Sequence, residues 1–306
     1  MDNLKIIEYA NIHSQVNDLE TAHLVIGLDK VLASRTVKGL IVKTNQIADG
    51  VKIDITVQKD TIIQKPVHMC FGLMQEIGIQ KINLSINVEA NAQISVMAHC
   101  VFPNAADVKH IMDAEINIAE NAKYTYYERH IHSPQGGIEV IPKAKIKVAS
   151  HGYFKTDFEL LEGRVGSIDI DYETYCADYA VMEMNAKISG KGTDSINIKE
   201  TGYLQGEYSR GLLTSRVAVR DNAQAEICSK LIAQGPYARG HVDCKEIMQG
   251  NGWVSAIPIV EVHNKKAHIT HEAALGSVDS KQLQTLMSRG LTEEEASDLI
   301  VSGLLS

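Results

Sequence analysis

The sequence predicts a mainly β protein, and three observations carry that expectation. From about Lys52 to about His263 the chain runs in short stretches that alternate apolar and polar residues, among them "VKIDITV", "KINLSINV", "AEINIA", "AKIKVAS", "GSIDIDYE", "DSINIKE" and "AQAEICSKL". Alternation of period two puts one face of a strand in a core and the other in water. Similar turn residues announce the runs at Asn91, Asn121, Gly163, Gly192 and Asn222, at intervals of 121 − 91 = 30, 163 − 121 = 42, 192 − 163 = 29 and 222 − 192 = 30. Recurrence at this interval marks a repeat architecture in which each unit buries its apolar face against the next, so that the units stack into a β-solenoid, or β-helix. An antiparallel sandwich with coincident Asn-Ala and Gly turns is the alternative that pattern alone leaves open. The third observation is a pair of capped helical patterns at the C-terminus.

In chain order, residues 1–50 read as a short helical or mixed segment. Within "NDLETAHLVIGLDKVLA", Asn17 or Asp18 is placed to cap a helix, and Leu24, Leu28, Val31 and Leu32 fall at helical spacing. Residues 51–275 form the β core, and residues 276–306 a helical hairpin. In the hairpin Asp279 caps a first helix with Leu283, Leu286 and Met287 on its apolar stripe, and Gly290 stops it. Thr292 and Glu295 then form a capping box, with Leu291 placed to staple against Ala296, and Leu299 and Ile300 extend the stripe. On pattern alone, such a hairpin would plug the open end of a solenoid, whose last rung otherwise exposes strand edges and core.

Bulk properties narrow the function. The 306 residues are 44% hydrophobic, enough for a sizeable core, and the formal charge is −8 with no basic block. A nucleic-acid groove and an anionic membrane surface therefore have no electrostatic footprint, so neither is expected as a partner. The start "MDNLKIIEYANIHSQ" lacks a basic, then apolar, leader, and no run approaches the roughly 18 apolar residues of a span, so a cytoplasmic protein is expected. Five widely spaced cysteines without a CxxC, namely Cys70, Cys100, Cys176, Cys228 and Cys244, suit a reducing compartment better than a disulfide framework. Neither GxxxxGK[ST] nor GxSxG nor HExxH occurs, so no common nucleotide or hydrolase signature is present and an enzyme is not expected.

The last quarter is the most specific part. Cys244 in "GHVDCKEIM" precedes "IPIVEVHNKKAHITHEAALGSVDSKQLQTLMSRGLTEEEASDLIVSGLL", and the run from Ala267 to Gly303, above all "HEAALGSVDSKQL" and "LMSRGLTEEEA", resembles the C-terminal core of the SufB/SufD family. These are scaffold subunits on which iron-sulfur clusters are assembled beside an ABC-type ATPase. The resemblance implies a right-handed parallel β-helix, a C-terminal hairpin that docks a SufC-like ATPase, and a site lying between two subunits. The familiar subunits carry a longer N-terminal extension, so this chain resembles a compact, archaeal-type version of them.

The resemblance also selects the site residues. At the position of Cys244 the SufB pattern carries the thiolate that holds the nascent cluster, in a motif that usually reads Gln-Cys-Asp-Ser; here Asp243-Cys244-Lys245-Glu246 matches it in the cysteine alone. Val242 and Glu246 share its strand face, and Lys245 is a candidate to favour the thiolate. His271 and Glu272 occupy the element where SufB-like chains have His-Glu and SufD-like chains have His followed by Gly. Neighbouring strand residues point to opposite faces, so His271 and Glu272 serve one site only if the strand breaks near Thr270. Iron-sulfur clusters take about four ligands, mostly thiolates with imidazole as a substitute, so Cys244, His271 and Glu272 of one chain are too few. A homodimer doubles them. Mixed ligation would leave a labile, transient cluster, 4Fe-4S or 2Fe-2S in type, which a donor needs.

Other candidates are weaker on sequence. His130 and His132 in "ERHIHSPQGG" share a strand face, but without an acidic or thiol partner they read as structural. Cys100 beside His99 has the look of a sulfur-entry point without a flanking match, and it reads as core with Cys70, Cys176 and Cys228. The competing functions are a SufD-like structural subunit that holds no cluster and a β-helix carbohydrate-active enzyme. Cys244 and Glu272 argue against the first, and an aromatic content of 5% with the single Trp253 argues against the second.

Overall fold

The computed structural model describes residues 2–305, and its strands form a parallel β-solenoid of two sheets. Helices α1 (Asp2–Ala10) and α2 (His13–Asn17) come first. One sheet holds β1 (His23–Gly27), β2 (Lys30–Arg35), β5 (Val67–Gly72), β7 (Gln93–Phe102), β9 (Lys123–His132), β11 (Tyr153–Glu162), β13 (Val181–Gly190), β15 (Arg210–Val219), β17 (Arg239–Met248) and β19 (His268–Ser277). The other holds β3 (Leu40–Ile47), β4 (Gly50–Val57), β6 (Ile77–Val88), β8 (Asp107–Ile118), β10 (Ile138–Val148), β12 (Ser167–Cys176), β14 (Ser195–Leu204), β16 (Gln224–Ala233) and β18 (Trp253–Val262). Helices α3 (Ser280–Met287) and α4 (Glu293–Leu305) end the chain. From β4 onward successive strands alternate between the sheets, and neighbours pair in parallel; the hairpins β1–β2 and β3–β4 are antiparallel. Pattern alone left a sandwich open, and the parallel ladders exclude it.

The repeat is more regular than the turn residues suggest. Left-handed backbone marks one corner at Asn91, Asn121, His151, Tyr179, Tyr208 and Tyr237, at intervals of 121 − 91 = 30, 151 − 121 = 30, 179 − 151 = 28, 208 − 179 = 29 and 237 − 208 = 29. The opposite corner turns at Gly163, Gly192, Asp221 and Gly250, where each interval is 29 (192 − 163, 221 − 192, 250 − 221). Asn121 and Gly163 belong to different corners, which is the origin of the odd interval of 42. At the first corner bulky residues hold positive φ, a conformation that costs about 1 kcal/mol each. Ring stacking there offsets it: His151, Tyr179, Tyr208 and Tyr237 form a ladder with centroids 4.8, 5.2 and 4.7 Å apart.

Inward residues of both sheets form one continuous core along the stack, for example Ile53, Ile82, Met112 and Ile146 from one sheet and Met69, Ala98, Phe154 and Met182 from the other. The helix expected across Asn17–Ala33 is absent, because that stretch is the hairpin β1–β2 turning at Leu28, with φ 54°. Its cause is two-sided burial. Leu24 and Ile26 face the core, while Val25 packs under Ile6, Ile7, Ala10 and Ile12 of the N-terminal segment, so the strand reads as an unbroken apolar run that periodicity cannot tell from helix.

The C-terminal hairpin forms as its caps foretold. Asp279 Oδ1 accepts from the Gln282 amide at 2.8 Å, Thr292 Oγ1 accepts from the Glu295 amide at 3.2 Å, and Glu295 Oε2 accepts from the Thr292 amide at 2.8 Å. Its position corrects the plug expected from the pattern. Val301 and Leu305 of α4 pack on Ala218, on the outward face of β15, near Leu161, while Arg220 pairs with Asp298 and Ser297 Oγ donates to Gln249 Oε1 at 2.7 Å. The hairpin thus lies along the flank, and β19 stays uncovered, with Leu275 47% exposed.

Candidate functional site

On β17 the residues Val242, Cys244 and Glu246 face inward and are buried, while Asp243 and Lys245 face outward. Cys244 is 0% exposed. Its thiol donates to Ser229 Oγ at 3.9 Å, and Ser215 Oγ donates to Glu246 Oε1 at 2.7 Å beside it. Burial pushes the Cys244 thiol up from its ordinary value; Ser215 and Ser229 pull it back, and the Glu246 charge pushes it further up. Lys245 does not act on this thiol, contrary to the sequence expectation, because it stands on the other face with its ammonium 3.6 Å from Asp243 and 3.9 Å from Glu272. Cys244 is therefore a protonated, sheltered thiol in this state.

Strand β19 pairs with β17 in unbroken register: His271 lies beside Val242, Glu272 beside Asp243 and Ala273 beside Cys244. No break occurs near Thr270. His271 consequently shares the inward side with Cys244, one rung further on, and is exposed because nothing among the described residues covers that rung. Glu272 points outward to Lys245. One chain brings Cys244 and His271 to one face and sets Glu272 on the other.

A second group lies deep in the solenoid, and it corrects the reading of His130 and His132 as lacking an acidic or thiol partner. Glu128, His130 and His132 all face inward on β9, and Cys100 of β7 is the register partner of His130. Cys100 Sγ donates to Glu128 Oε1 at 3.5 Å, and His130 Nε2 lies 3.0 Å from the same oxygen. His130 Nδ1 lies 3.0 Å from His132 Nε2, and His132 Nδ1 lies 3.1 Å from the Arg164 carbonyl oxygen. Each side chain is buried. Burial raises the Cys100 thiol well above its ordinary value, and the Glu128 charge adds to it. Two signals in the sequence could have found this group: Glu128 stands two residues before His130, and Cys100 stands 130 − 100 = 30 residues before it, one full turn of the repeat.

His99 stands on the outward side of β7, where its Nε2 lies 3.4 Å from His68 Nδ1, so His99 and Cys100 do not share a site. Cys70 and Cys176 are buried as expected, each with its thiol pushed up to about 12 by burial. Cys228 departs from the expectation: it is half-buried on the outward face of β16.

Comparison with known proteins gives one consistent result. The family model described as SUF system FeS cluster assembly, SufBD core domain, matches residues 73–304. An iron-sulfur cluster assembly SufBD family protein of Methanocaldococcus jannaschii is 37% identical over 282 residues, covering 92% of this chain and 89% of the relative. One of Pyrococcus horikoshii is 34% identical over 284 residues, covering 93% and 86%. A SufBD family protein of Staphylococcus aureus is 41% identical over 69 residues, which span 22% of this chain and 15% of the relative.

Proposed function

Since the chain belongs to the SufBD family of iron-sulfur cluster assembly proteins, we propose that it is the scaffold on which a cluster is built and passed on, working as a homodimer with a SufC-like ABC ATPase. The observation that carries this reading is the uncovered end of the solenoid, where an imidazole, His271 on the last rung, and a thiol, Cys244 one rung beneath it, share the inward side. The cluster is cargo. Thiolate and imidazole are ligands that iron-sulfur clusters use, and two copies meeting at this end would supply two of each, with Glu272 contributing from the rim. Exposed apolar side chains on the two last strands, Leu275, Ile257 and Val262, favour such a meeting, as does a strand edge with unpaired backbone groups.

In this reading the chain forms iron–thiolate and iron–imidazole bonds when the cluster is built and releases them when it is passed on, and the conformational work belongs to the ATPase. The flanking hairpin is the proposed docking point: Leu286, Leu299 and Ile300 line a groove between α3 and α4, and Arg220–Asp298 ties the hairpin to β15. ATP-driven pairing of two ATPase subunits would pull on both hairpins and open the interface over Cys244. The reading places the protein in the cytoplasm. Its support is five unpaired cysteines, which suit a reducing compartment.

Anaerobic purification followed by reconstitution with ferrous iron and sulfide tests the proposal. The expected product is a brown dimer with thiolate-to-iron charge-transfer absorption. A colourless monomer under the same conditions would overturn it.

A further inference from the structure

The buried group on β7 and β9 points to a second, separate metal site. A chain of three contacts runs from Glu128 Oε1 to His130, from His130 to His132, and from His132 to the Arg164 carbonyl oxygen. Each contact brings two lone-pair-bearing atoms to 3.0–3.1 Å, so each needs a positive particle between them. Two neutral imidazoles carry one N–H each and satisfy two contacts. The carbonyl accepts only, so His132 Nδ1 holds one proton, and in the neutral chain His130 Nδ1 holds the other. The contact between His130 Nε2 and Glu128 Oε1 then lacks a cation.

The surroundings choose the kind of cation. A thiol sulfur, Cys100 Sγ, lies 3.5 Å from that same Glu128 oxygen, and the sulfur, nitrogen and oxygen all lie within 4.8 Å of one another. Tetrahedral coordination at ordinary bond lengths sets neighbouring ligand atoms about 3.3–3.6 Å apart, so the sulfur–oxygen pair at 3.5 Å already fits, the nitrogen–oxygen pair at 3.0 Å opens slightly, and the sulfur and nitrogen, within 4.8 Å of each other, close on the ion. Glu128 Oε2 and the hydroxyls of Tyr124 and Tyr126 are buried with no hydrogen-bond partner among the described residues. His130 already has the outer support expected of a metal-bound imidazole, its far nitrogen held by His132 and His132 in turn by a carbonyl.

We propose that Cys100, Glu128 and His130 bind one borderline divalent transition-metal ion, of the Fe(II) or Zn(II) class, through Sγ, Oε1 and Nε2. Binding releases the thiol proton to solvent, leaving a thiolate, a carboxylate and a neutral imidazole around the ion. The site lies within the solenoid on the rungs of β7 and β9, with β9 four pairings from β17 along the same sheet, and is distinct from Cys244. It does not depend on whether a cluster forms there.

The test removes the other thiol site first. A Cys244→Ala chain is produced in cells grown with added cobalt, so that metal enters as the protein folds, and is purified without oxygen. The expected result is about one cobalt per chain with a thiolate-to-cobalt charge-transfer band. Adding Cys100→Ser abolishes the band, adding Glu128→Gln lowers occupancy severalfold, and adding Cys70→Ser, at an equally buried cysteine outside the group, changes neither. Circular dichroism checks that each variant is folded, and Glu128→Gln, nearly identical in shape, decides the matter if Cys100→Ser is not. Elemental analysis of protein from unsupplemented medium separates iron from zinc. Absence of metal from the folded Cys244→Ala chain, which would mean that a proton alone fills the contact, overturns the proposal, as does a band that survives both ligand changes.

Discussion

Cys244 and Ala273 are register partners on β17 and β19, so the buried thiol lies one rung beneath the open end of the solenoid, under a single methyl group. If cluster components reach Cys244 from that end, the size of residue 273 controls access. Ala273→Leu should leave the melting temperature nearly unchanged, since residue 273 is exposed, and should reduce cluster loading severalfold in anaerobic reconstitution. Unchanged loading would show that iron and sulfide arrive by another way.

The open rung is also the proposed dimer surface. Leu275→Lys places a charge on each side of an isologous contact, and charge repulsion near a two-fold axis adds to lost apolar burial of about 1.5–3 kcal/mol per side chain. The expected outcome is a folded monomer by light scattering at micromolar concentration. A dimer that persists unchanged moves the interface elsewhere.

The hairpin should bind the ATPase through its free surface and not through its packing on β15. Glu294 is exposed at the start of α4, and Leu299 is exposed on the groove, so Glu294→Lys and Leu299→Glu alter the surface without touching Val301 or Leu305. Pull-down against the cognate ATPase should weaken by tenfold or so for either change, about 1.4 kcal/mol. Full-strength binding by both variants would remove the hairpin from the mechanism.

Glu200, buried between Tyr172 and Ser229 on neighbouring strands, gives the fold a pH dependence. Burial raises its carboxyl from an ordinary 4.5 to about 8. The folded chain therefore binds more protons than the unfolded chain between those values, and stability falls as pH rises through that window. The full contribution is present below about pH 4.5 and is gone above about pH 8. Glu200→Gln keeps the shape without the charge, so denaturant unfolding at pH 9 should show it more stable than the parent by on the order of 4 kcal/mol, with the gap closing towards pH 5. An equal gap at both values would mean that Glu200 does not titrate in this range.

Much of this molecule was readable before its structure. Alternation in runs such as "KINLSINV" and "DSINIKE" named the strands, and Thr292–Glu295 named the last helix, because one-sided burial and end caps are local effects that leave local marks. The hairpin β1–β2 was misread because Val25 is covered from outside by α1 as well as from inside, which erases the alternation. Tyr179, Tyr208 and Tyr237 escaped notice as turn residues, since tyrosine is a poor turn former and only its stacking with ring neighbours a whole repeat away makes positive φ tolerable. The Cys100–Glu128–His130 group was hidden for a similar reason: its members meet only once the period of the stack is known. At Cys244 the sequence located the thiol on its strand face, whereas the outward aim of Lys245 and Glu272 depended on β19 continuing without a break.

Reconstitution of four single variants tests the central claim most directly, that the cluster is built on Cys244 beneath the open rung. Parent chain, Cys244→Ala, His271→Ala, Glu272→Ala and, as a control on the outward face, Cys228→Ala are each loaded anaerobically with ferrous iron and sulfide, desalted and assayed for bound iron, sulfide and visible absorption. Cys244→Ala is expected to hold no stable cluster while remaining folded, His271→Ala and Glu272→Ala to hold less than the parent, and Cys228→Ala to match it. Normal loading of Cys244→Ala together with failure of Cys228→Ala would contradict the account and move the site to the outer face of the sheet.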